Sequence, residues 1–348
     1  MVSELIKISK YAGMREDLVQ AGGGNSSVKT KEDEMLIKGM GIQLADIRDN
    51  NGYSVVNPKI FRDFFAMGQK SQVDVELGES LQNKAYIRGP RPAIETFLHA
   101  MTDTVTLHVH PMLVNVLTSR AGGMEVLQEL FPDAIMVGYA TPGIEIGMEY
   151  YVKCKDHLVN MSTSGIAFMK NHGLIVSAKS ADEVIEITEE VISRIAEYLG
   201  YDNTANKNVT KIYDLLSEMC DTADDIVYRA VAQDILQAVD LLSENKHTFC
   251  PDSVVFCGKK IMALTEGNEC EQLKAFIADY GKPNVIVYMN QVYIIASSVK
   301  KAKETESVLG FCVEVCKLNR YEDVDLLPER EVDFLLNWEV EKFRKNMA

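Results

Sequence analysis

The chain has 348 residues, of which 47% are hydrophobic and 25% are charged, and its formal net charge is −15 at pH 7. This length exceeds the roughly 100 to 200 residues of one average domain and predicts two, and the composition is typical of a folded globular protein. Nucleic-acid affinity depends on clustered Lys and Arg, so a charge this negative argues against nucleic acid as a partner.

Cysteine usage and hydropathy indicate the compartment. The seven cysteines are irregularly spaced without a CxxC pair, and we interpret them as reduced thiols. The amino terminus lacks the continuous apolar segment of a signal peptide, and the sequence has no run of about 18 apolar residues. These patterns predict a cytoplasmic protein without a membrane partner.

The first part of the chain alternates predicted helices and strands. In chain order they are a helix at 3–19 that the glycine run GGGNSS ends, strands at 27–30 and 35–38, a helix from Pro92, a strand at 105–110, a strand within 168–176 and a long helix after Ser180. Ser180 with Glu183 predicts the start of that last helix, and Gly200 predicts its end. The helix from Pro92 would place Glu95 and His99 one turn apart.

A polar stretch at 201–208 lacks periodicity and predicts a connector between domains at 1–205 and 206–348. Beyond it the sequence predicts, in order, a helix at 212–242, a strand at 253–257, a helix at 271–280, a hairpin at 285–296 and helices at 298–317 and 328–344. This pattern is typical of a small α+β domain, and it does not indicate a role.

Two histidines lie two positions apart on the predicted strand 105–110, whose apolar residues alternate strictly with polar ones. Residues two apart on a strand point to the same side, roughly 6.5 to 7 Å apart, so His108 and His110 can converge on one ion. A third ligand has to come from elsewhere. The same pair is also typical of a solvated strand face, so the spacing alone leaves metal binding open.

Four segments, GGGNSS, RPAIETFLHA, TLHVHP and KNHGLIV, resemble the class II aldolase/adducin family over about residues 5–200. RPAIET and NWEVEKFR are most similar to the aldolase half of bifunctional rhamnulose-phosphate aldolase/alcohol dehydrogenases. The resemblance implies an α/β/α layered domain with a central mixed or antiparallel sheet. It also implies a homotetramer.

The resemblance further implies roles for individual residues. It makes His108, His110 and His172 zinc ligands, with another divalent metal as the alternative, Glu95 the catalytic carboxylate, and Gly24 with Asn25 an anion-binding loop. Three neutral imidazoles leave a coordination position open for a substrate oxygen, as catalytic zinc requires. In a glycine run of this kind, backbone N–H groups can approach an anion closely.

The chain departs from the family pattern at the phosphate site. Phosphate-binding members carry Thr-Gly where this chain has Met40-Gly41, and Ser-Ser where it has Ala93-Ile94. Three hydroxyl donors are therefore missing: either Lys38 or Arg91 replaces them for a sugar phosphate, or the substrate carries its charge elsewhere or has none. The substrate-binding residues expected here are Lys38, Gly41 and Arg91.

The resulting expectation is reversible aldol cleavage of a ketose, favouring a ketose phosphate, into a dihydroxyacetone-type fragment and an aldehyde. A 4-epimerase, a dehydratase or a decarboxylase would use the same metal chemistry. A non-catalytic binding module, as in adducin, is an alternative of another class. Tyr139 is a candidate for the tyrosine that family members use as a further proton donor.

Overall fold

A computed structural model describes residues 1–67, 74–155, 165–320 and 324–338. Contacts divide the chain into two compact units, Met1–Asn203 and Thr204–Ala348. Across the described ranges, no helix combines the length and the apolar character needed to span a membrane.

A single mixed sheet forms the centre of the first unit. Its strands, within the described residues, are β1 (Asn25–Lys29), β2 (Met35–Lys38), β3 (Tyr53–Val56), β4 (Tyr86–Arg88), β5 (Val105–Val109), β6 (Ile135–Val137), β7 (Gly165–Met169) and β8 (Gly173–Ala178). Their order is β4-β3-β2-β1-β5-β8-β7-β6. Among the strands that the structure describes in this sheet, only the β6–β7 pair is parallel, so the sheet is mixed, as predicted.

Helices cover both faces of this sheet. They are α1 (Val2–Gly13), α2 (Lys59–Ala66), α3 (Val75–Ala85), α4 (Thr96–Ala100), α5 (Met112–Thr118), α6 (Gly123–Leu130), α7 (Ile144–Cys154) and α8 (Ala181–Leu199). One buried core joins a sheet face to α1, α5 and α8. A second core joins the other face to α2, α3, α4 and α7. The predicted α/β/α layering is confirmed.

The centre of the sheet has one apolar and one polar face. Val105, Leu107 and Val109 of β5 belong to the first core, which confirms the strand that their alternation predicts. His108 therefore points to the opposite face, where Asn25 of β1 lies directly across from it.

Two predicted helices of the first unit have different bounds. The helix predicted at 3–19 ends at Gly13, and in the turn that follows the N–H groups of Leu18 and Val19 donate to the Arg15 carbonyl oxygen. The helix predicted from Pro92 begins at Thr96, because the chain just before it pairs with Gly39 as a β-bridge. A backbone bonded to a neighbouring strand cannot also make helical hydrogen bonds.

The ends of α8 are as predicted. The Ser180 side chain accepts a hydrogen bond from the Glu183 N–H, and Gly200 ends the helix at φ +62°. Both features are local, since they depend only on residues next to the helix end.

The second unit is a small α+β structure, as predicted. Its strands are β9 (Ile226–Arg229), β10 (Met262–Leu264), β11 (Val285–Tyr288) and β12 (Gln291–Ala296), in the order β10-β11-β12-β9. Its helices are α9 (Thr204–Ser217), α10 (Gln233–Leu236), α11 (Val239–Ser243), α12 (Pro251–Cys257), α13 (Glu269–Tyr280), α14 (Val299–Leu318) and α15 (Glu329–Asn337).

The helix α9 begins at Thr204, inside the stretch 201–208 that was predicted as a connector. Two other predictions for this unit were wrong. The helix predicted at 212–242 is interrupted by β9, whose β-branched and aromatic residues pair with β12. The strand predicted at 253–257 is α12, which has a proline in its first turn and Ser253 accepting from the Cys250 N–H.

The other elements of this unit are close to their predicted positions. The hairpin turns at Met289 and Asn290, both at positive φ, as tight turns of this type require. The last predicted helix, at 328–344, begins at Glu329, and its part beyond residue 338 lies outside the described residues, as does most of the NWEVEKFR segment.

Candidate metal centre

Strand pairing brings the three histidines together. His108 lies in β5, His110 follows that strand, and His172 lies in the turn between β7 and β8. Because β5 pairs with β8, the turn before β8 comes next to the end of β5. One ring nitrogen from each histidine lies within 4.8 Å of the other two.

The hydrogen bond of His108 sets its tautomer. Its Nδ1 lies 3.0 Å from the Leu174 carbonyl oxygen, which can only accept, so Nδ1 carries the proton. The other ring nitrogen, Nε2, is left with its lone pair and lies 3.0 Å from His110 Nε2. A metal ion requires lone pairs of this kind.

Burial keeps the three imidazoles neutral. It lowers the pKa of His110 to about 4 and that of His172 below its usual value. It lowers the pKa of His108 well below its usual value, and charge repulsion from neighbouring imidazoles lowers it as well. Three neutral nitrogen donors at this spacing fit a divalent ion such as zinc.

Two glycines allow neighbouring backbone segments to pack closely against the histidine-bearing segment. A Cβ on Gly173 would lie 2.3 Å from the Val109 carbonyl oxygen and 3.0 Å from His110 Cδ2. A Cβ on Gly24, where φ is +72°, would lie 2.9 Å from the His108 carbonyl oxygen. The glycine run thus has a packing role beside the triad, in addition to the anion-binding role that the sequence predicts.

Glu95 is buried at the start of α4. Asn25 Nδ2 donates to Glu95 Oε2 at 2.7 Å, and Asn25 is also the cross-strand partner of His108. Burial raises the pKa of Glu95, while the hydrogen bond from Asn25 and the charge of Lys38 lower it. Asn25 thus connects the carboxylate to the histidine-bearing strand, a role that the sequence analysis missed because it depends on strand register.

Lys38 is a buried cation on the same side of the first unit. Its side chain is 3% exposed, and its Nζ donates to the Gly22 carbonyl oxygen at 3.1 Å. Burial lowers the pKa of Lys38, and attraction to Glu95 opposes that change. The charges of Lys38, a candidate anion-binding residue, and Glu95 therefore interact.

The structure does not bring Arg91 into this group. Its side chain is 59% exposed and its Nη2 lies 3.0 Å from Glu79 Oε1, and both line a cavity of about 380 Å³. Gly41 has φ +76° and open space where a Cβ would lie. Tyr139 is 66% exposed. None of these three has a described contact with the triad or Glu95.

His99 does not orient Glu95 with its side chain. Its Nδ1 lies 2.7 Å from Ser27 Oγ, and burial lowers its pKa to about 3. Lys29 Nζ donates to the His99 carbonyl oxygen at 2.6 Å. The His99 ring is therefore a buried neutral group that contacts Ser27.

A model of the protein family described as "Class II Aldolase and Adducin N-terminal domain" matches residues 3–199 of the chain. A Bacillus subtilis (strain 168) protein named "Uncharacterized oxidoreductase YuxG" is 25% identical over 213 residues, which are 57% of this chain and 30% of that protein. The chain thus spans under a third of the length of that relative.

Solved structures similar to the chain include the N-terminal class II aldolase domain of a conserved protein from Thermoplasma acidophilum, at 22% identity and a TM-score of 0.49. The match covers 57% of this chain and 93% of the Thermoplasma acidophilum chain. Another is the L-fuculose-1-phosphate aldolase from Thermus thermophilus, at 15% identity and a TM-score of 0.37, covering 64% of this chain and 100% of its own.

Proposed function

Because the chain belongs to the class II aldolase and adducin family, we propose that its first unit is a metal-dependent aldehyde-lyase. The substrate is a ketose, with ketose phosphates favoured, and the products are a dihydroxyacetone-type fragment and an aldehyde. The observation that carries this proposal is the convergence of three histidine nitrogens within 4.8 Å in the same unit as the buried Glu95.

His108, His110 and His172 would hold the ion, and zinc is the ion that three neutral imidazoles suit best. When bound, the ion would polarise a substrate carbonyl and offset the negative charge that develops on its oxygen. The hydrogen bond from His108 Nδ1 to the Leu174 carbonyl keeps the Nε2 lone pair directed toward His110.

Glu95 would move the proton. Burial raises the pKa of Glu95, which favours a carboxyl group that can give and take a proton during the reaction. In the cleavage direction it gives a proton to the carbon freed when the C–C bond breaks, and in synthesis it removes the same proton. Asn25 holds Oε2, so Oε1 would face the substrate carbon, while Lys38 would bind a substrate oxygen or phosphate.

An epimerase, a dehydratase or a decarboxylase would need the same ion and proton carrier. A non-catalytic module would not need them, so the retained histidines and Glu95 favour an enzyme. The B. subtilis relative whose name contains the word oxidoreductase extends well beyond the matched region. In this chain Gly22–Gly24 precedes the strand β1, whereas a dinucleotide fingerprint opens a helix.

Product analysis with zinc-loaded protein and a panel of ketoses and ketose phosphates tests the proposal. A stoichiometric aldehyde supports the lyase, a stereoisomer without fragments supports the epimerase, and turnover of none of them contradicts both. Glu95→Gln should lower kcat by about 10²- to 10⁴-fold with unchanged zinc content. Light scattering of the same purified protein measures its mass in solution and so tests the proposed tetramer.

A further inference from the structure

A buried ion pair lies in the turn that follows α1. Arg15 is fully buried, and it donates from Nε to Asp17 Oδ1 at 2.7 Å and from Nη2 to Asp17 Oδ2 at 2.8 Å. Two parallel N–H bonds of this kind define the relative orientation of both side chains, which a single hydrogen bond does not.

Further contacts attach this pair to the rest of the first unit. Arg15 Nη1 donates to Glu189 Oε1 of α8 at 2.7 Å, and the Tyr11 hydroxyl of α1 donates to the same oxygen at 2.8 Å. Asn203 Nδ2 donates to Asp17 Oδ2 at 3.0 Å. The turn is therefore held from two helices and from the chain after α8.

The same turn holds the backbone at His110. The His110 N–H donates to the Leu18 carbonyl oxygen at 3.0 Å, and the Met112 N–H donates to the Asp17 carbonyl oxygen at 2.8 Å. These two bonds lie on either side of Pro111, which has no N–H to donate. These two hydrogen bonds make the backbone position of His110 depend on the position of residues 17 and 18.

The orientation of the His110 ring depends more on its own backbone than the orientation of the His108 ring does. The ring of His108 is fixed by the Leu174 carbonyl. Within the described residues, the His110 ring makes a hydrogen-bonding contact only with His108, without the carboxylate or carbonyl that usually orients a metal-binding histidine.

We propose that Arg15 is a positioning residue for His110: its paired hydrogen bonds to Asp17 hold the turn whose carbonyls fix the His110 backbone, and so maintain metal affinity. This inference rests on the proposed metal site. A buried ion pair is weak evidence for a role in stability, because apolar residues of similar volume are often as stable.

The test compares Arg15→Lys, which keeps the charge but cannot make two parallel bonds, with Tyr11→Phe as the matched control. Tyr11→Phe removes one hydrogen bond from the same cluster and leaves the Arg15–Asp17 contacts intact. Zinc affinity is measured by competition with a chromogenic chelator, and thermal unfolding of the metal-free proteins is measured in parallel. The visible spectrum of the Co²⁺-loaded proteins reports the coordination geometry.

We expect Arg15→Lys to bind zinc about 10- to 100-fold more weakly and to show an altered cobalt spectrum, while Tyr11→Phe matches the wild type in both. A folded Arg15→Lys protein with wild-type zinc affinity overturns the positioning role alone. Wild-type protein that binds no zinc overturns the metal site as well. If Arg15→Lys does not fold, Asp17→Asn, which keeps the size of the side chain, decides by the same two measurements.

Discussion

Asn25 donates a hydrogen bond to Glu95 at 2.7 Å, although the two residues are far apart in the sequence. Asn25 comes from the strand next to the histidine-bearing strand, and Glu95 precedes the short helix α4. This contact makes the protonation of Glu95 depend on a neighbour that can be changed without touching a metal ligand.

Asn25→Ala should raise the pKa of Glu95 further, because Asn25 stabilises the ionised carboxylate. A hydrogen bond to a charged group is worth about 1.5–3 kcal/mol, or about 1 to 2 pKa units. A step that requires ionised Glu95 should therefore need a higher pH in the profile of kcat/KM. Unchanged zinc affinity is the control, and an unshifted profile would show that Asn25 does not act on Glu95.

Gly173→Ala should weaken zinc binding, because its Cβ would lie 2.3 Å from the Val109 carbonyl oxygen and 3.0 Å from His110. The displacement should also cost about 1–3 kcal/mol of stability. Gly22→Ala is the matched control, since a Cβ there meets no atom within 4 Å. Calorimetric zinc titration and urea unfolding measure both effects. Equal affinities for the two variants would contradict the packing role of Gly173.

Zinc should stabilise the folded protein through the triad. At a free concentration of 100 times Kd, binding adds about 2.7 kcal/mol to the free energy of unfolding, and chelation should remove it. His172→Ala should lose most of this zinc-dependent increase, whereas His247→Gln, which changes a buried histidine of the second unit, should keep it. A full increase in His172→Ala would exclude that residue as a ligand.

Acid should destabilise the metal-free protein partly through His99. Its pKa is lowered to about 3 by burial, so between about pH 6.5 and 3 the unfolded chain binds a proton that the folded chain does not. Stability contributed by neutral His99 is therefore complete above pH 6.5 and falls as the pH falls toward 3.

In that range the free energy of unfolding should decline by about 1.4 kcal/mol per pH unit for this one group. His99→Gln should reduce the slope by that amount. Urea unfolding at several pH values measures it, and identical slopes for both proteins would show that His99 is protonated in the folded state.

Short-range patterns in the sequence predicted several elements because their causes are local. The alternation in Val105–Val109, the Ser180 and Gly200 helix ends, and the turn at Met289–Asn290 each depend on a few neighbouring residues. Where long-range pairing competes, local patterns failed: residues 226–229 form a strand because β12 lies beside them, and α4 begins only at Thr96 because Pro92 before it pairs with Gly39.

From the sequence alone one can predict that the first half of the chain carries His108 and His110 two positions apart, and that it resembles a family with a third histidine at His172. The folded chain is needed to show that these rings converge, that Asn25 contacts Glu95, that Arg91 pairs with Glu79, and that a buried ion pair lies in the turn bonded to the His110 backbone. The reason is strand register and packing between segments far apart in the chain, which spacing along the sequence does not encode.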